Sequence, residues 1–335
     1  MNLNKRIKSK WQTPFLIFSF AVCIFLSSCN KKTQNKKVYR VGILCGLNYI
    51  ADIVEGFKEK MTELGYVEGK DIIYDVQKKD FDMTVYKNTL RKSVNDRVDL
   101  IFAFPTEASQ EAKKVTEGTG IPVVFANAFT EDTGLVNSVR APGGNITGVR
   151  WGGPDLALQR FETMRQMVPN AKRMIIIYQR DYPIVKSQME VLRPAAVKAG
   201  ITLIEVPAGD TTELESELKK LPVNSSTDSI FSIAEPLLGQ SWNIVGEFAD
   251  KRKIPIGPGI ISGADYEAIF NLMPAFTPQG KQAALLADKI LKGTPAGTLP
   301  VLTAENYLTI NYRAAKKLGL NVPEGLLSRA DEIIR

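Results

Sequence analysis

The chain has 335 residues, 44% of them apolar and 24% charged, a size and balance that suit an ordinary globular protein with room for two separate cores. It contains no histidine, which excludes Ser-His-Asp and Cys-His catalytic sites and histidine-based zinc sites while leaving carboxylate and lysine chemistry open. The formal net charge of +7 is concentrated near the N-terminus, so the remainder is close to neutral and lacks the basic footprint of a nucleic-acid partner.

Lys5, Arg6, Lys8 and Lys10 precede an apolar run from Trp11 to Leu26, and the polar stretch Asn30 to Lys37 follows Cys29. A basic start, a short apolar core and small residues before a cut site predict a secretory signal over residues 1–28. The apolar run is shorter than the ~20 residues of a spanning helix. Leu26-Ser27-Ser28-Cys29 resembles a bacterial lipoprotein processing site. That resemblance implies lipidation of Cys29, a polar tether over residues 29–37, and attachment to the cell membrane or to the periplasmic face of a membrane. The competing reading is a plain signal peptide, or an anchor helix with a chance cysteine. Cleavage would remove four positive charges and no acidic residue, taking the net charge from +7 to +3. Cys23 falls within the signal core, so Cys45 is left alone in the body, forms no internal disulfide, and reads as a small buried hydrophobe.

From residue 38 onward strand and helix patterns alternate. Val38–Leu44 reads as a buried strand. A helix follows with Ile50, Ile53, Val54, Phe57, Met61 and Leu64 on one face, stopped by Gly65. Strands are expected at Ile72–Val76, Leu100–Phe104 and Val123–Ala126, with helices near Tyr86–Val94 and Glu107–Glu117 between them. A second series begins after Gly148. Its helices are Leu156–Met167, Val185–Ala199, Thr212–Leu221 and Trp242–Lys251; its strands are Met174–Tyr178, Ile201–Val206, Ser229–Ile233 and Ile254–Gly257. The strands are nearly continuous in apolar residues, as in parallel sheets covered on both faces. Two such series predict an α/β protein with two doubly wound parallel-sheet lobes. The later segments, strands Ala268–Leu272 and Tyr307–Ile310 and helices Gln279–Leu291 and Ala314–Leu318, are expected to complete both sheets, so the chain should cross between lobes several times.

Gly42 and Gly46 do not form a dinucleotide fingerprint and no phosphate-loop lysine is present, so no cofactor is expected. The glycine-rich stretch Gly257-Pro258-Gly259 to Gly263 reads as a strand-to-helix loop.

Several motifs occur in a telling order. Gly56-Phe57 and Glu63-Leu64-Gly65-Tyr66-Val67-Glu68-Gly69-Lys70 come first, followed by Asp99-Leu100-Ile101 and then Thr116 with Ile121-Pro122-Val123-Val124-Phe125. The most specific stretch is Gly134-Leu135-Val136-Asn137-Ser138 with Pro142-Gly143-Gly144-Asn145-Ile146-Thr147-Gly148-Val149. Lys292-Gly293, Leu299-Pro300-Val301, Asn311, Leu318-Gly319-Leu320 and Ser328-Arg329-Ala330-Asp331-Glu332 close the series. Over about residues 38–335 the chain resembles substrate-binding proteins of ABC importers, in the group associated with tryptophan and tyrosine uptake. The resemblance implies a type I periplasmic-binding-protein fold, two lobes closing on a ligand about a multi-strand hinge. Lobe 1 would comprise 38–148 plus about 273–298, and lobe 2 149–272 plus about 299–335. Pro142-Gly143-Gly144 would supply turn geometry where the chain leaves the first lobe.

In open α/β sheets ligands bind beyond the carboxyl ends of strands. Those ends give the ligand-binding candidates Asn48, Tyr49, Thr106, Asn127, Phe129, Arg180, Tyr182 and Glu235, with Trp151 just after the crossing. Thr106 is expected to cap the next helix, whose free amides would hold an anionic group. Tyr49, Phe129, Trp151 and Tyr182 offer stacking surfaces; Arg180 would clamp a carboxylate and Glu235 would meet an ammonium group. The chain departs from the resembled pattern in these loops. Where Gly-Thr-Pro-Ala is usual it has Pro105-Thr106-Glu107-Ala108, which sets a negative charge at the expected anion site. Glu131-Asp132-Thr133 and Gln179-Arg180-Asp181-Tyr182 replace an Asp-Pro and an Asn-Pro loop.

The expectation is a monomeric, lipid-anchored receptor that binds an amino acid or related small carboxylate and delivers it to an ABC permease, without catalysis. The alternatives are a sugar or nucleoside ligand, a membrane sensor as partner, or an exported enzyme.

Overall fold

The computed structural model describes residues 37–233, 235–259 and 264–335. The expected signal segment, Cys29 and nearly all of the tether lie outside the described residues, as does most of the glycine-rich loop. In chain order the first elements are β1 (Tyr39–Cys45), α1 (Asp52–Glu63), β2 (Ile72–Lys78), α2 (Met83–Asn95), β3 (Leu100–Phe104), α3 (Thr106–Val115), β4 (Val123–Ala128) and β5 (Ile146–Arg150). Next come α4 (Gly153–Met167), β6 (Arg173–Gln179), α5 (Pro183–Ala199), β7 (Thr202–Ala208), α6 (Thr211–Lys220), β8 (Asp228–Ser232), α7 (Pro236–Gln240), α8 (Trp242–Arg252) and β9 (Ile256–Gly257). The chain ends with β10 (Phe270–Pro274), α9 (Phe276–Leu291), β11 (Leu302–Thr303), β12 (Asn306–Asn311), α10 (Tyr312–Lys317), α11 (Glu324–Leu327) and β13 (Glu332–Ile334).

The first sheet has the order β11-β5-β4-β3-β1-β2 and every neighbour is parallel. The second has the order β7-β6-β8-β9, also wholly parallel. Both therefore follow the 2-1-3-4 winding of doubly wound sheets, and each has its switch point between its first and third strands. Apolar side chains cover both faces. In the first lobe Val41, Ile43, Phe57 and Phe102 meet α1 and α9 on one side, while Leu44, Ile101, Tyr86 and Phe125 meet α2 and α3 on the other. In the second lobe Ile176, Phe161, Met189 and Phe231 pack on one face, and Ile175, Ile177, Leu214 and Val245 on the other.

The chain passes between lobes around Trp151, around Ala275 and around Ala304, because β5, α9 and β11 pack in the first lobe whereas α4, β10 and β12 pack in the second. Two findings differ from the sequence reading. β5 runs to Arg150, so the first exit lies beyond Gly148 and beyond the Pro142-Gly143-Gly144 turn. The C-terminal segments also do not complete the second parallel sheet. β9 is two residues long and is followed by Pro258, which has no amide to extend a ladder. β10, β12 and β13 instead form a separate three-stranded sheet whose Phe270, Leu272, Leu308 and Ile310 join the second lobe's core.

The packing of α1 against α9 depends on two glycines. A Cβ on Gly56 would lie 2.0 Å from the Thr277 carbonyl oxygen, and one on Gly280 would lie 2.0 Å from that of Ile53.

Candidate functional site

The two switch points face each other. Exits from β1 and β3 come from the first lobe, exits from β6 and β8 from the second, and a hydrogen bond joins them. The Tyr182 hydroxyl, after β6, donates to Glu107 Oε1, after β3, at 3.0 Å.

In the first lobe β1 ends at Cys45, and the carbonyl of the next residue, Gly46, accepts from the Tyr86 hydroxyl. Asn48 is exposed in the short turn Asn48–Ile50, with its amide 3.5 Å from Asp80 Oδ1. Tyr49 is 73% exposed and packs edge-on to Phe276, ring centroids 6.3 Å apart. Its phenol pKa is raised first by desolvation and then by the Glu107 charge. Phe276 was not among the sequence candidates, although it lies only two residues past the end of β10.

Thr106 is not a helix cap. It is the first residue of α3, whose cap position is Pro105, and no side chain caps that helix. Its buried hydroxyl accepts from the Phe129 amide at 3.1 Å and so ties the β3 exit to the β4 exit. Glu107 follows in the first turn, where a carboxylate is favoured by the helix dipole. At the end of β4, Asn127 has φ +48°, a left-handed conformation that asparagine tolerates. It is 7% exposed, and its Oδ1 has no hydrogen-bond partner. An unsatisfied buried acceptor costs about 1–3 kcal/mol, so one at a strand end needs a reason.

Phe129 stacks on Trp151 with centroids 6.0 Å apart and planes at 25°. The Arg160 guanidinium lies over the same indole at 5.8 Å, and its Nε donates to the Leu272 carbonyl at 2.7 Å. Burial lowers the Arg160 pKa to about 10, which keeps it charged at neutral pH. Beside them Arg150 pairs with Glu131, lies 3.5 Å from Asp155, and donates through Nε to Thr303 Oγ1 at 3.0 Å.

The second lobe contributes less of what the sequence suggested. Arg180 turns to Glu213 on α6, so its charge is already paired. Glu235 caps α7, accepting from the Leu237 amide at 2.8 Å and the Leu238 amide at 2.7 Å. Burial raises its pKa in spite of those amides. Tyr182 is half-buried, and its phenol is raised first by burial and then by Glu107, with Glu235 and Tyr49 adding to the effect. The arrangement thus gathers Tyr49, Glu107 and Tyr182 between the switch points, with Thr106 beside Glu107 and linked to Phe129, which stacks on Trp151. Arg180 is directed elsewhere.

Among the described residues no group of three or more His, Cys, Asp or Glu side chains could hold a metal ion, and no helix is long and apolar enough to cross a membrane.

Residues 47–334 match the family model described as ABC transporter substrate binding protein. The chain is 28% identical over 310 residues to a tyrosine-binding protein of Clostridioides difficile (strain R20291), covering 88% of this chain and 85% of that one. Among solved structures it is similar to an ABC domain in complex with L-Trp from Streptococcus pneumonia, with a TM-score of 0.76, 23% identity, and coverage of 89% of this chain and 100% of that one. It is also similar to a ligand-free, open substrate-binding protein with adhesive properties from Clostridium difficile, with a TM-score of 0.73, 24% identity and coverage of 88% and 98%. At these identities the structural likenesses establish the fold.

Proposed function

The chain belongs to the ABC transporter substrate-binding protein family, and from that premise we propose that it captures an amino acid in the cleft between its lobes and presents it to a membrane permease. The family is one of extracytoplasmic binding proteins rather than enzymes. The observation that carries the reading is the cross-lobe contact of Tyr182 with Glu107, which brings the switch points of two doubly wound sheets onto one cleft. Ligand binding at that point should favour the closed arrangement of the lobes, the form a permease would recognise.

Around the contact, Tyr49, Asn127, Phe129, Trp151 and Tyr182 are the ligand-facing residues, and Thr106 fixes the loops that carry them. Arg180 and Glu235 act through their own intramolecular partners. The names of two relatives, a tyrosine-binding protein and an L-Trp complex, favour an aromatic amino acid. The stacked pair Phe129 and Trp151 agrees with an aromatic or apolar ligand body. Lipidation of Cys29 would hold the receptor at the membrane through the polar tether of residues 29–37, and the protein would act as a monomer.

A thermal-shift screen of amino acids, sugars and nucleosides tests the ligand class. A ligand at 100 times its Kd stabilises by about 2.7 kcal/mol, which raises Tm by several degrees. The reading expects that shift from one or more amino acids. A shift from a sugar or nucleoside, with none from any amino acid, contradicts it.

A further inference from the structure

We infer that this cleft selects its ligand by an ammonium group, with Glu107 as the counter-charge and Asn127 Oδ1 as a second acceptor. The inference rests on the amino-acid reading and deepens it: the substrate class is a primary amine on an aromatic or apolar body, and a carboxylate contributes less.

Glu107 stands at the first lobe's switch point and its partner across the cleft is the neutral Tyr182 hydroxyl. Among the described residues no lysine or arginine pairs with it. The three arginines described around the site are engaged elsewhere. Arg180 pairs with Glu213, Arg150 with Glu131, and Arg160 is buried under Trp151 with its Nε on a backbone carbonyl. The charge that reaches the two cleft tyrosines is accordingly negative: Glu107 acts on Tyr49, and Glu107 and Glu235 on Tyr182.

A second observation is independent of charge. Asn127 is more than nine-tenths buried at the end of β4, beside the Thr106–Phe129 link that borders Glu107, and its Oδ1 lacks a donor. An ammonium group brings three donors and no acceptor. Such a group can serve both a carboxylate and an orphaned amide oxygen, whereas a ligand carboxylate has the uncapped first amides of α3 to meet but no free cation.

Calorimetric titration of the purified protein with two series separates the possibilities. One series is L-tyrosine, tyramine and 3-(4-hydroxyphenyl)propionate; the other is L-leucine, isopentylamine and 4-methylpentanoate. In the series that binds, the amine should retain affinity within about tenfold of the amino acid and the amine-free acid should bind at least about a hundredfold more weakly. Glu107→Gln should weaken the amino acid and the amine by about tenfold or more. Tyr182→Phe, which keeps the carboxylate, should preserve the preference for the amine. If an amino acid binds but Glu107→Gln leaves it within twofold, or the amine-free acid binds as well as the amine, the inference fails and the amino-acid reading stands. If no amino acid or amine binds, with L-tryptophan and tryptamine tested as well, both fail.

Discussion

Asp228 opens β8 and holds several groups at once. Its carboxylate accepts from Arg173 Nε at 2.8 Å, from the Asn224 amide at 2.8 Å and from the Thr227 hydroxyl at 3.3 Å. It is 3% exposed, covered by these partners rather than set deep in the lobe. Burial pushes its pKa up, but the Arg173 and Asn224 hydrogen bonds outweigh that and the net shift is downward. A folded-state pKa below the unfolded one contributes stability that is fully present above the ordinary carboxylate pKa of about 4 and is lost as the pH falls through the folded value. Urea melts should therefore show stability dropping below about pH 4, and Asp228→Asn should remove part of that drop. At neutral pH the same variant should cost about 1–3 kcal/mol, since it leaves Arg173 without its counter-charge. Such pairs were not legible in the sequence. Arg180 and Thr106 were read correctly as strand-end residues, but their partners, Glu213 and Phe129, lie 33 and 23 residues away and only the fold brings them near. Asn127 was found by position alone, because a strand end says nothing about whether an amide oxygen will be satisfied.

Element boundaries followed the strength of the local signal. Leu100–Phe104 was readable to the residue because five apolar side chains are buried on both faces. β5 was missed as a strand: it contains Gly148, which weakens the strand signal, yet a Cβ there would lie 2.3 Å from the Phe125 carbonyl oxygen. The same close packing governs α1 and α9. Gly280→Ala would set a methyl 2.0 Å from the Ile53 oxygen and 2.6 Å from the Phe57 nitrogen, backbone atoms that move only if the helices separate. We expect a loss of about 1–3 kcal/mol, measured as a lower urea midpoint with an unchanged m-value. Gly239→Ala in α7 meets nothing within 4 Å and should be neutral or stabilising, by up to about 1 kcal/mol. If both variants melt like the parent, α1 and α9 are not held in the close register described.

At the scale of the whole molecule, the doubly wound class of both lobes was legible because each βα repeat carries its own periodicity. The C-terminal segments were not assigned correctly, because periodicity cannot tell which sheet a strand joins. The proposed anchor and the proposed cleft are separable: Cys29→Ser should move the protein from the membrane to the soluble extracytoplasmic fraction, while ligand affinity stays within twofold. Retention of that variant at the membrane would count against lipidation at this residue, since one or more acyl chains would be the only attachment proposed. The central claim is that the two switch points close on one amino acid, and calorimetric titration of the purified protein tests it most directly. The account predicts saturable heat from an amino acid at one molecule per chain, with a negative heat-capacity change from buried apolar surface. Titration by a sugar or nucleoside with no response to any amino acid would contradict it.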